Sequence, residues 1–274
     1  MAELNNGLRR KLEQLKEIIS RCNGALVAFS GGVDSTFLLD VTREVLGENV
    51  LAVTITGPLF PSKEIEEAQE IASVFNVEQV VVEIDEMKKK HFKHNPPDRC
   101  YHCKRDLFSV LLGIAKERNL DCVFEASNMD DTKDHRPGMK AVKELGVKSP
   151  LIKAGITKED VRALSKERGL TTWDKLSMAC FASRVPYNQP ITPDKIQQIR
   201  KAEDYLCSLG FHQCRLRHHG AIARIEVAHD EIRRIVDEPI RRDLVEHIKG
   251  LGFKYVTIDL EGFRSGSLNE ELDL

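Results

Sequence analysis

Aromatic residues are scarce in this chain, 6% of 274 positions with a single tryptophan. Single-stranded bases are held by stacking on aromatic side chains, so this composition argues against a nucleic-acid binder. Neither sign of charge dominates: 41 lysines and arginines stand against 43 aspartates and glutamates, for a net charge of −2. Such a balance exerts no strong pull toward nucleic acid or membrane, although a local basic groove remains compatible with it. No run approaches the roughly 20 apolar residues of a membrane span. The opening stretch MAELNNGLRRKLEQLK is charged and amphipathic, with no apolar signal core. The expectation is a cytoplasmic protein. Internal repeats and low-complexity tracts are absent. Seven cysteines are an odd number for a secreted disulfide scaffold. Clustered in a cytosolic chain, they point instead to metal or redox chemistry.

What is present is enough apolar residue, 41%, for a sizeable core. Leu4–Cys22 reads as an opening helix, with Leu8, Leu12, Leu15, Ile18 and Ile19 near one face. Short apolar runs at Ala25–Phe29, Val50–Thr56, Gln79–Ile84 and Cys122–Ala126 read as strands. Between them lie helical stretches at Thr36–Leu46, Ser62–Phe75 and Lys104–Arg118. That alternation predicts an α/β fold with a parallel sheet covered on both faces. Pro186, Pro190 and Pro193 punctuate the chain after Arg184, and the pattern changes. A helix over Thr192–Leu209 precedes alternating segments at Cys214–Arg217 and Ala223–Val227, joined through His218-His219-Gly220 read as a solvated turn. Glu231–Lys249 is helical with a break near Pro239, and Lys254–Asp259 is a last strand. The division is therefore residues 1–188, a nucleotide-binding domain, and 189–274, a smaller α+β domain for substrate binding or oligomerisation. A homo-oligomer is expected.

The sharpest motif is Ser30-Gly31-Gly32-Val33-Asp34-Ser35, set between the first strand and a helix. Glycines let the main chain approach a phosphate closely. Turn N–H groups and the two hydroxyls then donate to its oxygens, at the positive end of a helix dipole. No Gly-Lys-[Ser/Thr] follows, so this is not a Walker A loop. It resembles the pyrophosphate loop of the adenine-nucleotide α-hydrolase-like enzymes, which cut ATP between the α and β phosphates. Ligands of parallel sheets sit at the carboxyl ends of strands. Thr54, Ser127 and Asp131 are placed at such ends and are candidates for the nucleotide pocket, against ordinary strand or turn roles. Asp34 is a candidate for Mg²⁺, which screens charge on the leaving group.

Cys100 and Cys103 form a CxxC pair, and Cys180 supplies a third sulfur in Ala179-Cys180-Phe181-Ala182-Ser183-Arg184. Three thiolates suit a [4Fe–4S] cluster with one iron open to an exogenous ligand such as sulfide. Zinc, with a fourth ligand from His91, His94 or His102, is the alternative. A thioredoxin-like site lacks its usual strand and helix setting, and a structural role for the cysteines also stays open. Cys22, Cys122, Cys207 and Cys214 read as small packing hydrophobes. Arg215 and Arg217, two apart on a strand, share a face suited to a substrate phosphate unless that face is merely solvated. Arg184 is a candidate to steady the Cys180 loop or an anion, and Arg264 is a further basic candidate.

Together SGGVDS, Gly57-Pro58-Leu59-Phe60-Pro61, RCYHCK, SNMDD, ACFASR and the later Arg215-x-Arg217 with Ala223-Arg224-Ile225-Glu226 resemble the LarE family over nearly the whole chain. That resemblance implies an ATP-dependent sulfur transferase of nickel-pincer nucleotide biosynthesis. Its substrate would be pyridinium-3,5-biscarboxylic acid mononucleotide, adenylylated at each carboxylate and then attacked by sulfur with loss of AMP. Members with all three cysteines carry the transferred sulfide, from a sulfide donor, on a [4Fe–4S] cluster. In other members a lone cysteine matching Cys180 gives up its own sulfur. The family pattern adds Glu203 and Glu226 as contacts for metal or substrate. Rival readings are a tRNA thiolase, an amide-forming synthetase, which needs no cysteine trio, and a non-catalytic nucleotide-binding module.

Overall fold

The computed structural model describes residues 6–133, 136–176, 180–264 and 266–272. Leu4 and Ala179, used above, lie outside the described residues, as does the side chain of His91. By packing, the chain divides into two units: Met1–Gly57, Ser62–Ile84 and Asp98–Met178 form the first, and Pro58–Pro61, Asp85–Pro97 and Ala179–Leu274 the second. The sequence pattern, by contrast, places a single boundary near 188. Among the described residues, no helix is long and apolar enough to cross a membrane.

In the first unit, β1 (Ala25–Ala28), β2 (Val50–Thr56), β3 (Glu78–Glu83) and β4 (Cys122–Phe124) form one parallel sheet in the order β3-β2-β1-β4. Side chains alternate across it, as the period of two demands. Ala25 and Val27 face a core with Phe37, Leu38, Val41 and Phe124. Leu26 faces the other, with Leu51, Val53, Phe108, Leu111 and Val123. The α/β architecture read from the sequence is thus the one observed.

Three local expectations change. The helix predicted from Lys104 begins at Arg99, so RCYHCK forms its first turns. Cysteine, histidine and tyrosine there have middling helix propensity and no apolar spacing, which hid the start. Cys22 and Cys122 are joined in a disulfide across a separation of 100 residues. Their proximity follows from the parallel register Ala25↔Cys122, which local pattern does not reveal. Cys207, read as a packing residue, is exposed, whereas Cys214 is buried.

In the second unit, β5 (Cys214–His219) and β6 (Ile222–Val227) form an antiparallel hairpin, and β7 (Tyr255–Ile258) pairs parallel to β6. Helix Pro193–Ser208 starts with Pro193 in its first turn, after Thr192, whose hydroxyl caps Lys195 N at 3.3 Å. This agrees with a proline pre-set for helix geometry. His218 and His219 are strand residues rather than a solvated turn. His218 is buried, its Nε2 lies 3.0 Å from Gln198 Oε1, and desolvation lowers its pKa. The helical stretch after Glu231 breaks into Ile232–Val236 and Ile240–Gly250, with Pro239 immediately before the second.

Phe124 is fully buried in β4. Phe124→Ala should lower the unfolding free energy by about 3–5 kcal/mol through lost transfer energy and a cavity. A urea titration followed by far-UV circular dichroism reads this loss directly.

Candidate active site

The strand order places β1 between β2 and β4, so the chain winds outward to β3 on one side and to β4 on the other. A crevice opens at such a switch, outside the carboxyl ends of the two central strands. The loop Phe29–Gly32 leaves β1 there, and Glu125–Asn128 leaves β4. Gly31 has φ 68°, the left-handed region where an L side chain is strained, and a Cβ on it would meet Ala68 Cβ at 3.0 Å. Glycine is therefore required by both torsion and space.

Ser30 and Ser35 point to one another, with Oγ–Oγ 3.1 Å, and Ser35 Oγ also donates to Gly32 O at 3.2 Å. The loop is thus held in shape by the two hydroxyls assigned to phosphate. Asp34 lies in the first turn of helix Val33–Leu46. Its Oδ1 accepts from Asn128 Nδ2 at 3.2 Å and its Oδ2 from Lys158 Nζ. Lys175 donates to Gly31 O at 2.9 Å and lies 2.6 Å from Glu67. Thr54 is buried, with its hydroxyl donating to Phe29 O at 2.7 Å and accepting from Gln79 at 2.7 Å. In this state that hydroxyl ties β2 to the end of β1. Ser127 donates to Glu125 Oε2 at 2.6 Å. Asp131 caps Asn128 N at 2.9 Å and pairs with Arg136 at 2.7 Å. Burial pushes its carboxyl above the usual range despite those partners.

Cys100 and Cys103 are three apart in the first turns of helix Arg99–Glu117, on neighbouring positions of one helix face. Cys100 is exposed and Cys103 half-buried. This helix runs back along the sheet, so its start lies at the same edge as the phosphate loop. Lys104, next to Cys103, reaches Glu125 Oε2 at 3.8 Å at the end of β4. The cysteine pair and the loop are therefore linked through Lys104, Glu125, Ser127 and Asn128. His102, a candidate fourth zinc ligand, lies 3.1 Å from Asp98 Oδ2. Two thiolates on one helix face fit a shared metal centre.

Cys180 belongs to the second unit. Its carbonyl accepts from Ser183 N at 3.0 Å, Ser183 Oγ at 2.9 Å and Arg184 Nη1 at 3.3 Å. Arg184 is buried and grips Glu203 with two bonds of 2.9 Å. Glu203 also accepts from Leu216 N on β5. Arg217 forms a second fork on Glu226, at 2.9 and 2.8 Å, and donates to Ser183 O at 2.7 Å. One network thus fixes the Cys180 turn, helix Pro193–Ser208 and the hairpin. Arg215 and Arg217 do share a face, and both are buried rather than solvated. The Arg215 guanidinium lies 5.0 Å from the Phe263 ring centre and donates to Cys214 O. Burial and then the Arg184 charge push its pKa down to about 10. Arg264 is half-exposed and pairs with Glu261 and Glu270.

Of Glu203 and Glu226, expected to meet metal or substrate, Glu203 faces the Arg184 guanidinium and Glu226 those of Arg217 and Arg224. Asn128, Lys158, Lys175 and Glu125 were missed as individual site residues. Asn128 stood in the SNMDD motif, and Thr157-Lys158-Glu159-Asp160 carried only a capping signal. The partners of both lie far along the chain.

A family model described as NAD synthase matches residues 2–119. The pyridinium-3,5-bisthiocarboxylic acid mononucleotide synthase of Lactiplantibacillus plantarum is 42% identical over 90% of this chain and 89% of its own length. An uncharacterized protein of Synechocystis is 40% identical over 97% of this chain and 99% of that protein. An uncharacterized protein of Methanocaldococcus jannaschii is 29% identical over 97% of this chain and 97% of that protein.

Glu226→Gln leaves the buried Arg217 without its carboxylate partner. It should cost about 3–5 kcal/mol of stability, whereas Arg264→Ala should change it by less than about 0.5 kcal/mol. Denaturant unfolding of the two variants side by side checks the contrast.

Proposed function

This chain belongs to the LarE family of PP-loop enzymes, and we propose that it converts pyridinium-3,5-biscarboxylic acid mononucleotide to the bisthiocarboxylic product at the expense of ATP. The observation that carries this reading is the pairing of a lysine-free phosphate loop at the sheet's switch point with a CxxC helix tied to the same edge. In this reading the first unit binds ATP, and the second recognises the mononucleotide.

The loop from Ser30 to Ser35 takes the pyrophosphate end of ATP. Its N–H groups and the two serine hydroxyls exchange their mutual bonds for phosphate oxygens. Asp34 would hold Mg²⁺ once Lys158 turns from the carboxylate toward the phosphates, and carboxylate oxygen suits that hard cation. Thr54, Ser127 and Asp131 border the nucleoside. A substrate carboxylate oxygen attacks the α-phosphorus, pyrophosphate departs, and an acyl adenylate forms. Hydrosulfide then adds to the acyl carbon, and AMP leaves with the original carboxylate oxygen. Repetition at the second carboxylate completes the product.

Cys100, Cys103 and Cys180 would hold a [4Fe–4S] cluster, which would supply the sulfide for transfer. The three bonds on the Cys180 carbonyl fix the backbone that presents its thiolate. Preorganisation of this kind lowers the entropic barrier to attack. Arg215 is the group assigned to the mononucleotide phosphate, because a desolvated guanidinium gains most from an added anion. Arg184 and Arg217 orient the surrounding turn.

Incubating the anaerobic protein with ATP, Mg²⁺, sulfide and the dicarboxylate mononucleotide tests the proposal. The substrate should exchange two oxygens for sulfur, with AMP and pyrophosphate formed in step. Absence of pyrophosphate would reject it. Cys180→Ala should abolish the mass change while ATP still binds. Arg215→Ala should weaken the mononucleotide roughly tenfold, in line with loss of a charge-assisted bond, and leave ATP affinity unchanged by calorimetry.

A further inference from the structure

The Cys22–Cys122 disulfide lies at the opposite edge of the first sheet, where Cys122 opens β4 beside Ala25, the first residue of β1. Lys148 Nζ is 2.9 Å from Cys122 Sγ and 3.4 Å from Cys22 Sγ. Asp121 completes a trio with the geometry of a metal-ligand set. Its oxygens, however, already accept from Gly24 N, Asn23 N and Asn23 Nδ2, at 3.1–3.2 Å. Those bonds, Gly24's first, hold its carboxyl below the usual range. A cation there would have to displace the Lys148 ammonium and strip these bonds from Asp121. The arrangement suits sulfur anions instead.

We propose that Cys22–Cys122 is a reversible thiol–disulfide site in which the Lys148 ammonium receives the thiolate leaving from Cys122. Both cysteines are buried, so a thiolate of a small dithiol attacks Cys22 Sγ when the turn after helix Asn6–Ile19 opens locally. The S–S bond breaks, and its electron pair passes to Cys122 Sγ, the sulfur nearer the ammonium. The second thiol of the reductant then displaces Cys22 from the mixed disulfide. The reductant leaves as a cyclic disulfide, having supplied two electrons and two protons to the two cysteines. Disulfide cleavage is faster when the leaving thiolate is stabilised, so Lys148 sets both the rate and which sulfur departs. Lys148 is itself held by the main chain. Its N–H donates to Val123 O at 2.9 Å, and its carbonyl accepts from Glu125 N at 3.0 Å. The ammonium therefore stays beside the sulfurs while the bond opens.

The test uses the full air-oxidised chain, dithiothreitol, an iodoacetamide quench and peptide mass mapping, which separates this pair from the other five cysteines. Cys22 and Cys122 should be unlabelled at first, become labelled on reduction and lose labelling on reoxidation. Early in reduction, label should appear on Cys122 while Cys22 carries the reductant. Lys148→Met should slow reduction about tenfold and Lys148→Arg should restore it to within about twofold. Free Cys22 and Cys122 thiols after oxidation would overturn the proposal. So would the reverse labelling order, an unchanged rate in Lys148→Met, or stoichiometric zinc on the reduced chain that Cys22→Ser removes. The labelling order is read on the unaltered chain and decides the matter even where Lys148→Met fails to fold.

Discussion

The parallel pairing of β1 with β4 is the constraint on which the first unit depends. Had β4 added beyond β3, the loops after β1 and β4 would lie apart, with Asn128 out of reach of Asp34. With the order observed, two short loops meet at one edge, and the backbone needs no insertion to build a crevice. The same pairing aligns Ala25 with Cys122 at the other edge, so the site and the disulfide are two consequences of one register.

The polar groups at that crevice satisfy one another. Asp34 is gripped by an amide and an ammonium, and the two loop serines satisfy each other. On the proposed binding of ATP with Mg²⁺, these groups would exchange one set of partners for another rather than be left bare, which favours an ordered loop. The loop holds no lysine of its own, unlike a Walker A sequence; Lys158 and Lys175, from a later part of the chain, lie against it through Asp34 and Gly31 O.

The elements legible in the sequence were those written in local pattern: the apolar strands, the proline at the start of helix Pro193–Ser208, and the glycine loop. Parallel strands buried on both faces read as continuous apolar runs, so β1 and β2 were plain. What escaped was non-local. The Lys158–Asp34 pair spans 124 residues and the Lys104–Glu125 pair joins a helix to a strand end. Neither leaves a periodic trace. The hidden helix start at Arg99 had a different cause, since cysteine, tyrosine and histidine there have middling helix propensity and no apolar spacing. His218 was misplaced because polar residues beside a glycine resemble a turn, whereas tertiary packing extended the strand through them.

The hairpin of the second unit shows how far charge has been taken into the interior. Arg184, Arg215 and Arg217 are all buried, as are Glu203 and Glu226. Hydrophobic residues of similar volume would often be at least as stable as buried ion pairs, so stability alone does not account for the choice. The forks give direction instead: each guanidinium fixes the plane of its carboxylate and, through Ser183, the turn that carries Cys180. Glu226 serves two guanidiniums, since Arg224 also reaches it at 3.1 Å. Taking so much charge inside carries a cost that shows at Arg215, whose affinity for its proton is reduced by burial and then by the neighbouring Arg184. An anion docking against Arg215 would relieve that cost, and a neutral molecule would not.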